Sequence, residues 1–294
     1  MRKHSISFLK IKVYRRKFLG NAAAILVLCM LCFLGVSVFF TTIWAAQQRQ
    51  EAQDAFSVVE KKIGTVKDQL NEYIESCYAS RKMMQDARAL FTAETEAGYV
   101  HKRLGNSKSS SAQIAYMPGD MKKLFVNRRI QVRGVTFVSG EGTKAVWLDR
   151  VSGDIHVTFG LKSEEEAMKI PGFGNMMLSS FEIRDPDSIS RQLGSITFWV
   201  DRDELLRGVG LSGAWAVMQG DKVLHADYRQ EKEMKWLRAA ANMEESQGWF
   251  YGNRYERIFY TVFPSSQYDF SYISVINSNT IWDLNRRALI ATSL

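Results

Sequence analysis

Phe56–Cys77, FSVVEKKIGTVKDQLNEYIESC, is the stretch on which the fold turns. Its apolar or semi-apolar positions Phe56, Val59, Ile63, Val66, Leu70, Tyr73 and Cys77 step alternately by three and four residues. That spacing is the a/d seam of a helix. No proline interrupts the chain from Gln47 to Glu96, so one long helix is expected there. The seam weakens after Cys77, through Ser80, Met84, Ala87 and Phe91. Such a stalk has two candidate partners: a twin helix in a homodimer, or the chain's own domain. Pairing with a twin would set Cys77 against its symmetry mate, where the two could crosslink.

Upstream of the stalk no charge occurs between Lys17 and Arg49, and Ala22–Phe40 (AAAILVLCMLCFLGVSVFF) is almost wholly apolar. At 1.5 Å rise per residue, about 20 such residues cross a hydrocarbon core of roughly 30 Å. Ala22, Leu26, Leu28, Phe33, Phe39 and Phe40 are the lipid-facing candidates, and Trp44 lies beyond them where an amphipathic ring suits the interface. A cleaved signal peptide is the rival reading. It fits poorly, because the apolar run is long and the exit after Ala46 places bulky Trp44 three residues before the cut.

Arg2, Lys3, Lys10, Lys12, Arg15, Arg16 and Lys17 precede the apolar run without one acid, which predicts a cytoplasmic N-terminus. With Arg49 these make eight of the 39 basic residues, leaving 31 basic against 31 acidic beyond residue 50. The formal charge of +8 is therefore a topology signal, and the exported part is neutral. A nucleic-acid partner is not expected for it. The partners expected are the lipid bilayer, a small-molecule or peptide ligand outside the cell, and a second copy of the chain.

Cys29 and Cys32 lie inside the apolar run and read as small membrane-buried residues, so Cys77 is the one exported thiol and no disulfide framework exists. Few exported cysteines and a basic-inside anchor suit a bacterial surface protein.

Beyond the stalk, Gly105–Ser111 (GNSKSSS) reads as a surface loop. Strands are expected at Ile130–Val138, Ala145–Leu148 and Ile155–Phe159, with a tight reversal at Val151–Asp154. A short helix follows over Ser163–Lys169, then strands at Met177–Ile183 and Gly194–Val200 and a helix at Asp201–Gly208. The order then restarts at smaller scale. Ala214–Met218 and Lys222–His225 form a hairpin signal and Arg229–Met243 a helix; Trp249–Tyr251, Tyr255–Phe263 and Phe270–Val275 are three further strands. The fold class read from this order is α+β: a membrane helix continuing into a stalk, then two antiparallel-sheet units. The expected divisions are 1–17 (basic terminus), 18–46 (membrane helix), 47–104 (stalk), 105–208 (distal unit), 209–278 (proximal unit) and 279–294 (terminal helix). That last helix turns apolar at Ala288, which predicts the opening of a second crossing; a terminal helix packed on the domain is the alternative.

Chemical motifs are scarce. Gly208-Val-Gly210-Leu-Ser-Gly213 matches a dinucleotide fingerprint by letter, but it follows a helix and precedes a strand, the reverse of what phosphate binding needs. The four histidines are isolated, and no nucleophile elbow occurs. No catalytic residue, metal or cofactor is expected. The candidate ligand contacts are Trp147, Asp149 and Arg150 in the distal unit, and Arg254 and Arg257 in the basic-aromatic run Trp249–Tyr260 of the proximal one. Core packing is the rival role for that run and for Trp147.

Gly194–Leu206 (GSITFWVDRDELL) resembles the last strand of a distal sensor unit entering its connecting helix, and Tyr268–Leu284 (YDFSYISVINSNTIWDL) the final strand leading to a second crossing. With the element order, these residues give a chain that resembles the extracytoplasmic double-Cache, PAS-like sensor region of YesM-like sensor histidine kinases or membrane-anchored AraC-type regulators. The resemblance implies ligand sensing, a two-component or transcriptional output, and an output module, kinase or helix-turn-helix, outside these 294 residues. It carries no ligand residue over. The expectation from another class is an anchored surface interaction or structural protein without signalling output.

Overall fold

The computed structural model describes residues 3–105, 116–127, 132–185, 187–254 and 256–279. One α-helix, α1 (Lys3–Ala79), runs for 77 residues. Its N-terminal half is long and apolar enough to cross a membrane, and none of that apolar window is buried in the protein. Leu26, Leu28, Phe33, Phe39 and Phe40 are all exposed, as is Ala22. An apolar face of this size on a helix needs a non-aqueous environment.

The C-terminal half of α1 behaves differently. Phe56, Val59, Ile63, Val66, Leu70 and Cys77 are buried, Ile63 and Leu70 completely, and Tyr73 packs half-buried beside Ile74. They are covered by the chain's own sheets. The seam is therefore intramolecular, which corrects its reading as a dimer stalk through Phe56, Val59, Ile63, Val66, Leu70, Tyr73 and Cys77. Each fully buried Val, Leu, Ile or Phe contributes on the order of 2 kcal/mol, so the seam is a main wall of the core.

The helix expected over 47–96 is two. Ser80 leaves helical geometry (φ −98, ψ 102) and its Oγ accepts from the Met83 amide at 3.4 Å, capping α2 (Arg81–Thr92). Two further helices follow, α3 (Glu96–Gly105), separate from the expected stalk, and α4 (Met117–Val126). Most of the expected 105–111 loop lies outside the described residues.

The distal sheet contains β1 (Val132–Ser139), β2 (Gly142–Leu148), β3 (Ile155–Leu161), β4 (Met176–Asp185) and β5 (Ser188–Val200), all antiparallel, in the order β3-β2-β1-β5-β4. Between β3 and β4 sits α5 (Glu164–Ala167), shorter than expected; Ser163 occupies its N-cap without a side-chain bond. The connecting helix α6 (Arg202–Leu206) is capped by Asp201. The proximal unit adds β6 (Ala214–Gln219), β7 (Lys222–Asp227), α7 (Glu231–Ala241), β8 (Gln247–Asn253), β9 (Glu256–Pro264) and β10 (Ser271–Asn277), with sheet order β7-β6-β10-β9-β8. The glycine-rich run 208–213 is the link between α6 and β6, as its flanks predict.

The fold is α+β with two PAS- or Cache-like units along one long helix. Both sheets share a core order of second, first, fifth and fourth strand, and differ in where the third is added. In the distal sheet a tight turn keeps β3 beside β2; in the proximal sheet α7 crosses the sheet face first, so β8 lands on the opposite edge. One face of each sheet packs on the helices: in the distal unit Phe198 meets Tyr73 of α1 and Phe137 meets Phe91 of α2, and in the proximal unit Trp215 and Tyr272 meet Phe56 of α1. The far proximal face is closed by Trp236, Leu237 and Ala240 of α7. The terminal segment 280–294, with its expected second crossing, lies outside the described residues.

Candidate functional site

In the C-terminal half of α1, Glu60 projects from the flank of the buried seam towards the β9–β10 loop. Its carboxylate accepts four hydrogen bonds: from the Ser265 hydroxyl (2.6 Å), the Ser266 amide (3.1 Å) and hydroxyl (2.7 Å), and the Tyr272 hydroxyl (2.7 Å). Burial alone would raise its pKa, but the donors outweigh it and hold the carboxyl below its usual range. Tyr272 responds oppositely: burial first, and the carboxylate second, push its hydroxyl pKa up. Phe56, one turn before Glu60, stacks on the Tyr272 ring at 4.7 Å.

The same loop reaches the distal unit. Lys67 donates to the Gln267 carbonyl at 3.0 Å and lies 4.0 Å over the ring of Tyr268. The Tyr268 hydroxyl in turn donates to the carbonyl of Leu178 in β4 at 2.6 Å. Residues 265–268 thus touch the stalk, their own sheet and the other sheet together. Any shift of one unit against the other must strain or remake these bonds.

Nearer the N-terminal half of α1, Trp44 stacks on Trp249 of β8 (6.0 Å) and meets Phe259 of β9 edge-on (5.9 Å). The ring expected to face the interface is thus half taken up by the proximal sheet. Arg257 of β9 lies 4.5 Å over the other ring of this pair, Trp249. Alongside runs a groove of ≈ 690 Å³ between α1 and β8–β9. Arg254 sits apart, in the exposed β8–β9 turn.

Trp147 and Asp149, two of the three distal candidates, are engaged in local contacts. The Trp147 ring stacks on His156 at 5.0 Å and its Nε1 donates to Thr158 at 3.3 Å. Asp149 closes its own turn, accepting from the Val151 amide (2.8 Å) and the Ser152 hydroxyl (3.2 Å), and Arg150 is exposed on that turn. The polar cluster of the distal outer face is built from other residues. Trp199 Nε1 donates to Thr136 Oγ1 (2.9 Å), which donates to Glu164 (2.5 Å). Phe173 lies flat above Gly134, where a Cβ would come within 2.1 Å of its ring. Among the described residues no cluster of three or more His, Cys, Asp or Glu could hold a metal ion.

No protein-family model matches the chain, and no curated protein matches it. Eight chains of solved structures do, two of them as follows. One, an extracellular domain ascribed to the histidine kinase vpHK1S-Z8, aligns at 11% identity and TM-score 0.44, covering 83% of this chain and 95% of that one. Another, an extracellular domain ascribed to the histidine kinase soHK1S-Z6, aligns at 11% identity and TM-score 0.33, covering 74% and 98%.

The geometry described above stands independently of them. It offers a mechanical joint at Glu60, Lys67 and residues 265–272, a polar cluster under α5, and a cationic-aromatic groove. Glu60 and Glu164 escaped the sequence reading because acids beside a helical seam or in a first turn look like ordinary solvated charge.

Proposed function

We propose that the chain is the sensory part of a transmembrane signalling protein: N-terminus in the cytoplasm, both units outside, and the signal carried along α1. The observation that carries this reading is the continuity of α1. One helix holds the exposed apolar segment and, without a break, the seam buried against both sheets. A rearrangement of the units acts directly on the segment that would cross the bilayer.

The coupling requires a ligand with different affinity for two arrangements of the units. The cluster of Glu164, Thr136 and Trp199 suits a small polar ligand or peptide whose donors compete for the carboxylate. Such a ligand would lift α5 and Phe173 from Gly134. Nothing in this scheme needs a catalytic residue, and output falls to a kinase or transcription module elsewhere. Homodimerisation, if it accompanies signalling, uses surfaces other than the buried seam.

Two measurements test this. Ser152→Cys, in the exposed β2–β3 turn, should react with a membrane-impermeant maleimide in intact cells, whereas Ser5→Cys should react only after lysis; the reverse pattern sinks the topology. Thermal-shift screening of the full chain in detergent against sugars, amino acids and peptides should find a stabilising ligand, whose effect Glu164→Gln weakens.

A further inference from the structure

The groove between α1 and the β8–β9 edge has a composition that the sensing scheme does not use. Its walls include Val38, Thr42, Arg49 and Gln53 from the helix and Trp249 and Arg257 from the sheet. Among the described residues, both charged side chains that line it are arginines and no carboxylate does. Arg257 is held by the Trp249 ring and remains solvent-exposed. A guanidinium is a planar, weakly hydrated fork that pairs bidentately with phosphate.

Position along α1 says which phosphate. With the apolar run Ala22–Phe40 across the hydrocarbon, Val38 lies at its outer boundary and Thr42 just beyond. Arg49 is nine residues past Phe40, about 13 Å at 1.5 Å per residue, and helical side chains lean towards the N-terminus, here towards the bilayer. Its guanidinium therefore comes down to the headgroup layer, which adds roughly 5–7 Å to each side of the core. Val38 thus lines the end of the groove nearer the apolar run, and Arg49 lines it further along the helix.

We propose that this groove binds the headgroup of an anionic phospholipid of the outer leaflet, with Arg49 and Arg257 pairing with the phosphate and Val38 meeting the acyl chains. This rests on the membrane reading above, and adds that the proximal unit is seated on lipid as well as on α1. The bound lipid braces the Trp44–Trp249 contact, at the point where movement of the sheet would enter the membrane helix.

The test is a lipid titration of the full chain in detergent micelles, read by native mass spectrometry. Phosphatidylglycerol should bind in preference to phosphatidylcholine, and Arg49→Gln/Arg257→Gln should weaken it roughly tenfold or more, the loss expected for charge-assisted bonds. Arg238→Gln, an exposed arginine of α7 outside the groove, should change nothing. Equal binding by the double variant, equal binding of phosphatidylcholine, or an equal loss in Arg238→Gln overturns the site. Binding of free glycerol 1-phosphate as tight as that of the lipid also overturns it, in favour of a soluble phosphate. Alkaline-carbonate extraction of membranes separates the premises. Release of the chain overturns the anchor and the depth argument with it, whereas a retained chain with an indifferent double variant overturns the lipid site alone.

Discussion

The Tyr272 hydroxyl donates to the Glu60 carboxylate at 2.7 Å, pinning β10 of the proximal sheet to the C-terminal half of the long helix. Three more donors from Ser265 and Ser266 converge on the same carboxylate, so a single side chain holds strand, loop and helix in register. Replacing it by glutamine removes the charge and points an NH2 at donors. We expect Glu60→Gln to lower stability by about 1–2 kcal/mol, at the lower end for buried groups because the site is partly solvated. Thermal unfolding of the full chain in detergent would show it.

The same carboxylate gives stability a defined dependence on pH. Its folded pKa is depressed, so its contribution is complete above the ordinary value of 4.5 and is lost as pH falls through the lower folded value. The wild-type melting temperature should therefore drop more steeply below pH 4.5 than that of Glu60→Gln. Parallel acid limbs for the two proteins would show that Glu60 is not a main source of the acid response.

Tyr268 links the two units through one hydroxyl while its ring stays engaged with Lys67 and stacks on Phe270 at 5.1 Å. Tyr268→Phe keeps the ring contacts and deletes the bond to the Leu178 carbonyl. A global cost near 1 kcal/mol is expected. Faster hydrogen exchange should be confined to β4 and the β9–β10 loop, the two segments this bond joins. A uniform increase across the protein would argue against a local joint.

Cys77 separates the intramolecular seam from a dimeric stalk. It is buried, and burial pushes its thiol pKa up, so both access and thiolate fraction are low. In a Cys29→Ala/Cys32→Ala background, oxidant should give no crosslinked dimer on non-reducing gels. Maleimide should label Cys77 only as denaturant opens the core. Rapid crosslinking under native conditions would restore the twin-helix reading.

The seam was legible because a three-four alternation marks a buried face whatever covers it. What covers it is a non-local fact: strands more than a hundred residues away, which no helical periodicity encodes. Ser80 shows the same limit locally. A serine in the seam fits a helix interior and an N-cap alike, and only the packing of α2 decides. Asp149, by contrast, carried a readable signal. An aspartate two residues before Val151 in a turn ending at Gly153 is an Asx turn, a local structural use that competes with a ligand contact. Arg257 is a candidate in the sequence because basic and aromatic residues interleave in its strand, whereas Arg49, which lines the same groove, lies in what reads as the membrane flank.

Lys144 provides the last test. It is fully buried in β2, and its ammonium donates to the Phe91 carbonyl (2.9 Å) and the Ser139 hydroxyl (3.1 Å). Phe91 is in the last turn of α2, where a cation is favoured by the helix dipole, yet burial still lowers the lysine's pKa. The carbonyl has a second donor, the Ser139 hydroxyl at 2.8 Å, so removing the ammonium leaves no orphaned acceptor. Lys144→Met, similar in volume, should therefore change stability by less than about 1 kcal/mol, because lost capping is offset by relieved desolvation. Lys144→Ala should cost about 2–4 kcal/mol through the cavity it leaves. Because the folded pKa lies below the unfolded one, wild-type stability should rise with pH between the depressed value and 10.5. The methionine variant should lack that alkaline rise, and thermal melts from pH 7 to 10 distinguish the two. A large loss in Lys144→Met would mean that the ammonium itself, and not the volume it fills, holds the end of α2 against the sheet.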